Sequence, residues 1–260
     1  MQISLEGKIA LVTGGSGGIG AGIAEALAAS GARVAISYSS HPEPANDTVK
    51  KITDAGGEAF AIKANVGEVA DVKSMFDEVV NTFGPVDILI NCAGIDGKKG
   101  LSWEIDLEDW RKVIEVNLFG VFHCSQIAVK SMVERSAGVI VNITSVHETI
   151  AWSGYSAYTA SKAAVSMLTK TMAQEAAPHG VRVLSLAPGA IKTDINRDVW
   201  DDPEQLKDLL GKIPMNRMGS VDDIAKLVTV LVSDVGAYVT GTTVFVDGGM
   251  TDYPEFAHGG

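Results

Sequence analysis

The sequence has 260 residues, of which 46% are hydrophobic and 20% charged, and its formal net charge is −11. This size and composition predict one globular α/β domain over residues 1–260, and the acidic balance argues against nucleic acid or an anionic membrane as a partner. No stretch reaches the ~20 apolar residues of a membrane span, and the N-terminus lacks the features of a signal peptide. Cys92 and Cys124 lie in apolar segments, as expected of free, buried thiols. We therefore expect a cytoplasmic protein that acts on a small molecule.

The chain opens with a pattern that favours phosphate binding. A buried strand over 8–12 runs into a glycine-rich turn and then a helix over 21–30. Glycines permit a tight turn and a close backbone approach, and a helix N-terminus stabilises negative charge. The spacing of these glycines differs from the G-x-G-x-x-G motif, but the turn would bind phosphate by the same mechanism. The alternative is a glycine turn that binds no ligand. The expected cofactor contacts in this turn are Gly14, Ser16, Gly17, Gly18, Ile19 and Gly20.

The second strand, over 33–38, bears on the choice of cofactor. An acidic residue at its end would bind the 2′-hydroxyl of NAD, and an arginine would bind the 2′-phosphate of NADP. Here Tyr38 and Ser39 follow, and no acid occurs before Glu43. Small hydroxyls without a carboxylate do not repel a phosphate, so we expect NADP as cofactor, with NAD also accepted.

Two further strand ends carry polar or small residues, after helices predicted over 42–57 and 68–83. The third strand, over 59–64, is followed by Asn65 and Val66, and that asparagine could reach the adenine edge. The fourth strand, over 86–90, ends in Asn91, Cys92, Ala93 and Gly94. Such small residues let the backbone approach a cofactor, although packing within the sheet explains them equally well.

A long helix is predicted over 107–128, with Asn117 among apolar neighbours. A buried asparagine needs hydrogen-bond partners. It could brace the helix, or it could anchor a water relay to Lys162. The spacing does not separate these two roles.

The chemistry is concentrated in residues 139–170. A strand rich in β-branched residues stops at Ser145, so its hydroxyl lies where open α/β sheets bind ligands. A helix follows from about 158, and Tyr158 and Lys162 share one of its faces. A nearby lysine lowers the pKa of a tyrosine from ~10, so that it can exchange a proton with an alcohol or ketone. An isolated Tyr-x-x-x-Lys pair could be a surface feature, but the strand-end serine and the glycine turn favour catalysis.

The last third of the chain is predicted to supply two more strands, a helix and a lid. A sixth strand over 181–186 ends in Ala187-Pro188-Gly189, and an irregular, polar segment over 190–220 is predicted to be a mobile lid. A helix over 221–232 and a last strand over 243–246 follow. The tail over 247–260 keeps aromatic residues, so we expect it to pack on its own chain or on a neighbouring subunit.

Taken together, these motifs resemble the short-chain dehydrogenase/reductase family along the whole chain. The resemblance implies a single-domain Rossmann fold, with a seven-stranded parallel sheet and helices on both faces. It also implies a catalytic tetrad, in which Tyr158 is the acid/base, Lys162 lowers its pKa and binds the ribose, Ser145 orients the substrate oxygen and Asn117 carries a proton relay. Asn65 stands where the family commonly has aspartate. Further cofactor contacts are expected from Pro188, Gly189, Ile191 and Thr193.

A closer similarity is to bacterial glucose 1-dehydrogenases. It lies in Ser145-Val-His-Glu148 with Trp152, in 190–196 and 213–215, and in the tail over 248–256. It implies a homotetramer that oxidises a sugar C1 hydroxyl, as in glucose, to the lactone with NAD or NADP and without a metal. The expected substrate contacts are Ser145, His147, Tyr158 and Asn196, while Glu148 is either a sugar contact or a solvated loop residue.

Two other functions stay open. The segment over 95–104, with Lys98 and Lys99, departs from the glucose dehydrogenase pattern beside the substrate site. A carbonyl reductase of a 3-oxoacyl thioester or a polycyclic ketone would use the same tetrad in reverse. A non-catalytic nucleotide sensor could share the fold, but it would not need the tetrad.

Overall fold

The computed structural model describes residues 3–252, which form one α/β unit around a seven-stranded, wholly parallel sheet. The strand order is β3-β2-β1-β4-β5-β6-β7, so the order reverses direction between β1 and β4. Ligands of open α/β sheets bind at such a switch point, beyond the carboxyl ends of the strands. The strands are β1 (Ile9–Thr13), β2 (Arg33–Tyr38), β3 (Ala59–Lys63), β4 (Ile88–Asn91), β5 (Gly138–Ile143), β6 (Val181–Pro188) and β7 (Thr243–Val246).

Helices cover both faces of the sheet, because the parallel strands are apolar on both sides and both sides must be buried. One hydrophobic core lies under α1, α2 and α9, and the second lies under α3, α5 and α6. The helices are α1 (Gly18–Ala29), α2 (Pro42–Asp54), α3 (Val69–Thr82), α4 (Leu107–Ile114), α5 (Gly120–Arg135), α6 (Ser156–Ala176), α7 (Arg197–Trp200), α8 (Pro203–Leu210) and α9 (Val221–Val232). The predicted fold class is confirmed.

Two predicted elements differ in detail. The helix predicted over 107–128 is interrupted by a π-helical turn, Glu115–Phe119, and continues to Arg135. The segment over 190–220 is not irregular, since it holds a 3-10 turn, Asp194–Asn196, as well as α7 and α8. Its polar composition reflects short, exposed helices and not the absence of structure.

The two ends of this segment are tied together at its base. Ile191 and Gly219 form a parallel bridge, in which the Lys192 N–H donates to the Gly219 carbonyl at 2.9 Å and the Gly219 N–H to the Ala190 carbonyl at 2.9 Å. The chain therefore leaves the sheet and returns at one point, which is the geometry of a flap. Movement of this flap over the crevice stays a prediction.

Other predictions concern the ends of the chain and its environment. The tail is described only as far as Asp252, so the predicted packing of its aromatic residues lies outside the described part. Both cysteines are free, as predicted, with Cys124 buried and Cys92 half-buried. Within residues 3–252, no helix combines the length and the apolar character that crossing a membrane requires.

Candidate active site

The predicted catalytic side chains come from three elements that meet at the carboxyl edge of the sheet. Ser145 lies two residues beyond β5, Tyr158 and Lys162 lie in the first two turns of α6, and Asn117 lies in the π-helical turn. The fold thus brings all four members of the predicted tetrad to the switch-point side of the sheet.

Burial dominates the ionisation of Tyr158. It raises the pKa of this phenol to about 12, and a hydrogen bond from the Ser145 hydroxyl opposes the rise. Lys162 is also buried, with its Nζ 5.5 Å from the centre of the Tyr158 ring and donating to the Ile143 carbonyl at 2.9 Å. The predicted net lowering of the Tyr158 pKa is therefore wrong, because burial has the largest influence on this phenol and favours its neutral form.

This result predicts the behaviour of Tyr158 in an alkaline titration. Burial favours the neutral phenol, so its ionisation is delayed to higher pH. In a spectrophotometric titration at the tyrosinate band, wild type and Tyr158→Phe should therefore coincide below about pH 10, the ordinary range of a phenol. An extra tyrosinate in the wild type at about pH 7–9 would mean that the lysine charge wins.

Asn117 is firmly held in the π-helical turn. Its Oδ1 accepts from the Ile95 N–H at 2.8 Å, and its Nδ2 donates to the Ile95 carbonyl at 2.8 Å and to the Ser161 hydroxyl at 3.2 Å. The side chain is 1% exposed. These contacts support the bracing role, because they tie the loop after β4 to α6. A water relay through this residue stays a prediction.

The glycine turn fits a dinucleotide phosphate. A Cβ on Gly14, which has φ +67°, would lie 2.8 Å from the Ala93 Cα, whereas one on Gly17 would meet nothing within 4 Å. The turn is thus packed against the loop after β4 on one side and open on the other. Helix α1 begins at Gly18 without a capping side chain, so the N–H groups of its first turn remain available to a phosphate.

The other predicted cofactor residues end or follow strands at this edge, but four of them are buried: Val66, Asn91, Pro188 and Ile191. Val66 is 5% exposed and Ile191 6%, so only their backbones can face a ligand. The Asn91 side chain donates to the Ser125 hydroxyl at 2.9 Å and to Asn142 Oδ1 at 2.8 Å, which favours the packing alternative for it. Residues that keep some exposure at this edge are Tyr38, Ser39, Asn65, Ala93, Gly94, Gly189 and Thr193.

Aromatic rings surround the Tyr158 side chain. The His147 ring stacks on Trp152, with centres 4.5 Å apart and planes 11° apart, and Trp152 stacks on Tyr155 at 4.0 Å. Both His147 and Trp152 meet the Tyr158 ring edge to face, at 6.3 and 5.9 Å. We call His147, Trp152 and Tyr155 the aromatic wall. Only His147 had been predicted as a substrate contact.

Two residues expected to bind sugar hydroxyls are engaged elsewhere. Glu148 accepts from the Ser166 hydroxyl at 2.8 Å, underneath α6. The Asn196 Oδ1 accepts from the Thr193 N–H at 3.0 Å, and its Nδ2 donates to the Ile191 carbonyl at 2.9 Å, so this amide caps the flap. The structure therefore does not support the predicted substrate contact of Asn196, because the local backbone already uses both ends of its amide.

Sequence reasoning missed Asp96. This exposed residue follows Gly94, where a Cβ would lie 3.6 Å from Lys162 Nζ, and its charge acts on Lys162, His147 and Tyr158. Its position two residues beyond the Ala-Gly of a strand-end loop is the only signal that the sequence offers. Across residues 3–252, no group of three or more His, Cys, Asp or Glu side chains is arranged to hold a metal ion.

Comparisons with known proteins place this architecture in a family. The family model described as enoyl-(acyl carrier protein) reductase matches residues 14–251. The 3β-hydroxysteroid dehydrogenase 1 of Eggerthella lenta is 45% identical over 260 residues, which cover 100% of this chain and 99% of that protein. The glucose 1-dehydrogenase 2 of Bacillus subtilis is 38% identical over 98% of this chain and 99% of that protein.

A solved structure of a related dehydrogenase has the same fold as this chain. The gluconate 5-dehydrogenase of Burkholderia cenocepacia, determined in complex with NADP and tartrate, superposes with a TM-score of 0.90 at 36% identity, covering 96% of this chain and 97% of that one. The chain belongs to the short-chain dehydrogenase/reductase family, as its motifs predicted. It is an NAD(P)-dependent oxidoreductase that acts on CH–OH groups.

Proposed function

We propose that the protein transfers hydride between a nicotinamide cofactor and the carbon of a ring hydroxyl. The cofactor, when bound, supplies the hydride acceptor or donor. Tyr158 exchanges the hydroxyl proton, and Ser145 donates a hydrogen bond to the same oxygen. Lys162 holds a positive charge behind the phenol, where it stabilises the phenolate that forms during oxidation.

The aromatic wall carries our proposal for the substrate. The stacked rings of the aromatic wall form a mainly apolar face beside Tyr158, in which Trp152 is 37% exposed. Such a face fits a flat, mainly apolar ring system better than a small polyol, which needs several fixed polar partners. Because Glu148 and Asn196 turn away, a polycyclic alcohol or ketone is our first candidate. The 45% identity to a 3β-hydroxysteroid dehydrogenase supports it.

A sugar C1 hydroxyl is the second candidate, as the motifs predicted. His147 and Asp96 supply polar groups near Tyr158, where a sugar hydroxyl would bind. The 38% identity to a glucose 1-dehydrogenase supports this alternative. We find no structural observation that favours a 3-oxoacyl thioester.

A matched panel of substrates separates these candidates. We expect oxidation of 3β-hydroxysteroids at neutral to alkaline pH, with kcat/KM at least roughly tenfold above that for D-glucose, because the apolar wall stabilises the larger ring system. Each substrate should be tested with NAD and NADP, following the reduced cofactor by absorbance. Strong glucose oxidation with no steroid turnover would establish the second candidate and contradict the first.

The same assay tests cofactor preference. Tyr38 and Ser39 end β2 without a carboxylate, which supports NADP as the preferred cofactor with NAD also used. A kcat/KM that favours NAD would contradict this proposal.

We also propose self-association, in keeping with the predicted homotetramer. Leu107 of α4, Phe119 of the π-helical turn and Met167 of α6 are exposed, and these three elements contact one another. Large apolar side chains left open to water favour an interface between copies. Light scattering that gives the mass of a monomer would contradict it.

A further inference from the structure

The segment that borders the substrate site beyond β4 carries one acidic side chain close to the catalytic groups. Asp96 lies two residues after Gly94, whose Cβ position is 3.6 Å from Lys162 Nζ. Between them, Ile95 is held by two hydrogen bonds with the Asn117 side chain. The backbone that leads to Asp96 is therefore fixed against the tetrad.

The far end of this segment is fixed as well. Lys98 forms an ion pair with Asp109 at 2.7 Å, and the Gly100 N–H donates to the Gly154 carbonyl at 3.0 Å. Gly154 immediately precedes Tyr155 of the aromatic wall. Asp96 thus lies on a segment that is held at both ends, and it lines a cavity together with Tyr155 of the aromatic wall.

The Asp96 carboxyl group is under the electrostatic influence of Lys162 and His147, and burial raises its pKa. Within residues 3–252 it has no salt bridge, and Lys98, the nearest lysine along the chain, is engaged by Asp109. Lys99 lies along Gly154, with its Cγ 3.0 Å from the Cβ position there. The carboxylate acts electrostatically on Tyr158, His147 and Lys162. An anion bound beside Tyr158 would therefore meet the negative charge of Asp96 as well as the positive charge of Lys162, and a substitution of Asp96 would alter only the first of these interactions.

We propose that Asp96 is a specificity-determining residue that selects neutral ring alcohols and ketones against anionic ones. This inference rests on the proposed function, because it concerns the substrate of the same site. Of two substrates with the same shape, one neutral and one anionic, the Asp96 charge repels mainly the anionic one. The role of Asp96 is thus measured by the ratio of kcat/KM for a neutral substrate to kcat/KM for an anionic one, and not by the kcat/KM of either substrate alone.

A pair of cyclic ketones tests the inference. We would measure reduction of 4-oxocyclohexanecarboxamide and 4-oxocyclohexanecarboxylate, which differ in charge and little in shape. In the wild type the neutral probe should have the higher kcat/KM. Asp96→Asn should reduce this preference roughly tenfold, because it removes the repulsion between two partly screened unit charges, and Asp96→Lys should reduce it further.

The control is Glu104→Gln, which removes an equal charge farther along the same segment and should leave the ratio unchanged. Equilibrium dialysis of both probes supplies the same ratio from dissociation constants, without turnover. If the wild type reduces neither ketone, the proposed function fails, while the binding ratio still decides the role of Asp96. A ratio that stays within roughly twofold in Asp96→Asn and Asp96→Lys would overturn the inference.

Discussion

Tyr158→Phe is expected to lower kcat/KM by about 10²–10⁴-fold, the usual contribution of a general acid/base, while the protein still binds its cofactor. The phenol is the titratable group that the fold places beside Ser145 and in front of Lys162. Phenylalanine keeps the ring and its edge-to-face contacts with Trp152 at 5.9 Å, so the loss should fall on the proton transfer alone. Steady-state rates and calorimetric binding of NADP measure the two effects separately.

Tyr155→Phe is the matched control for this experiment. It removes a hydroxyl three residues earlier and keeps the ring that stacks on Trp152 at 4.0 Å. We expect a change in kcat/KM of less than about threefold, because no proton transfer depends on this hydroxyl. Equal losses in the two variants would mean that the ring environment, and not the Tyr158 proton, limits the rate. Unchanged turnover in Tyr158→Phe would reject the tetrad assignment.

Gly20→Ala should have the second large effect, on stability and cofactor binding together. A Cβ on Gly20 would overlap with the carbonyl oxygen of Gly14, which is backbone and cannot rotate away. Relieving this overlap must shift either the glycine turn or the start of α1, at a cost of about 3 kcal/mol. Thermal unfolding should report a Tm lower by roughly 6–12 °C, with a weaker affinity for NADP.

Gly17→Ala is the control that tests whether backbone overlap causes the loss of stability in Gly20→Ala, because it adds the same methyl group three residues earlier. Gly17 has φ −175°, an extended conformation open to any residue, and its Cβ would meet nothing within 4 Å. Its Tm should therefore stay within about 2 °C of wild type. A similar loss of Tm in both variants would contradict backbone overlap as the cause, because a Cβ on Gly17 has no atom to overlap with.

The fold and the family could be predicted from sequence because their signals are local. Buried strands of a parallel sheet appear as short apolar runs, and the glycine turn stands directly between the first strand and the first helix. Tyr158 and Lys162 share a face through helical spacing alone. The π-helical turn at Glu115–Phe119 escaped prediction, because its apolar pattern does not differ from that of a continuous helix.

The pKa of Tyr158 shows where local reasoning fails. A neighbouring lysine predicts a lower pKa, but the balance between charge and desolvation depends on how deeply both groups are buried. Burial is a sum over contacts that include His147 and Trp152, and none of these contacts is visible in the spacing of Tyr158 and Lys162. The direction of the shift was therefore wrong at the sequence level.

By itself, the sequence determined the seven strands and the glycine turn, since both depend on residue order and periodicity. The Rossmann fold and the tetrad followed from the resemblance to the family, and the roles of the tetrad stay predictions. Only the tertiary structure decided where the remaining polar groups point: Asn196 into its own flap, Glu148 towards Ser166, and Asp96 into the neighbourhood of Lys162. The physical reason is that a side chain takes the hydrogen-bond partners and open space that distant segments provide. Substrate choice in this family member therefore lies in contacts between segments that are far apart in the chain.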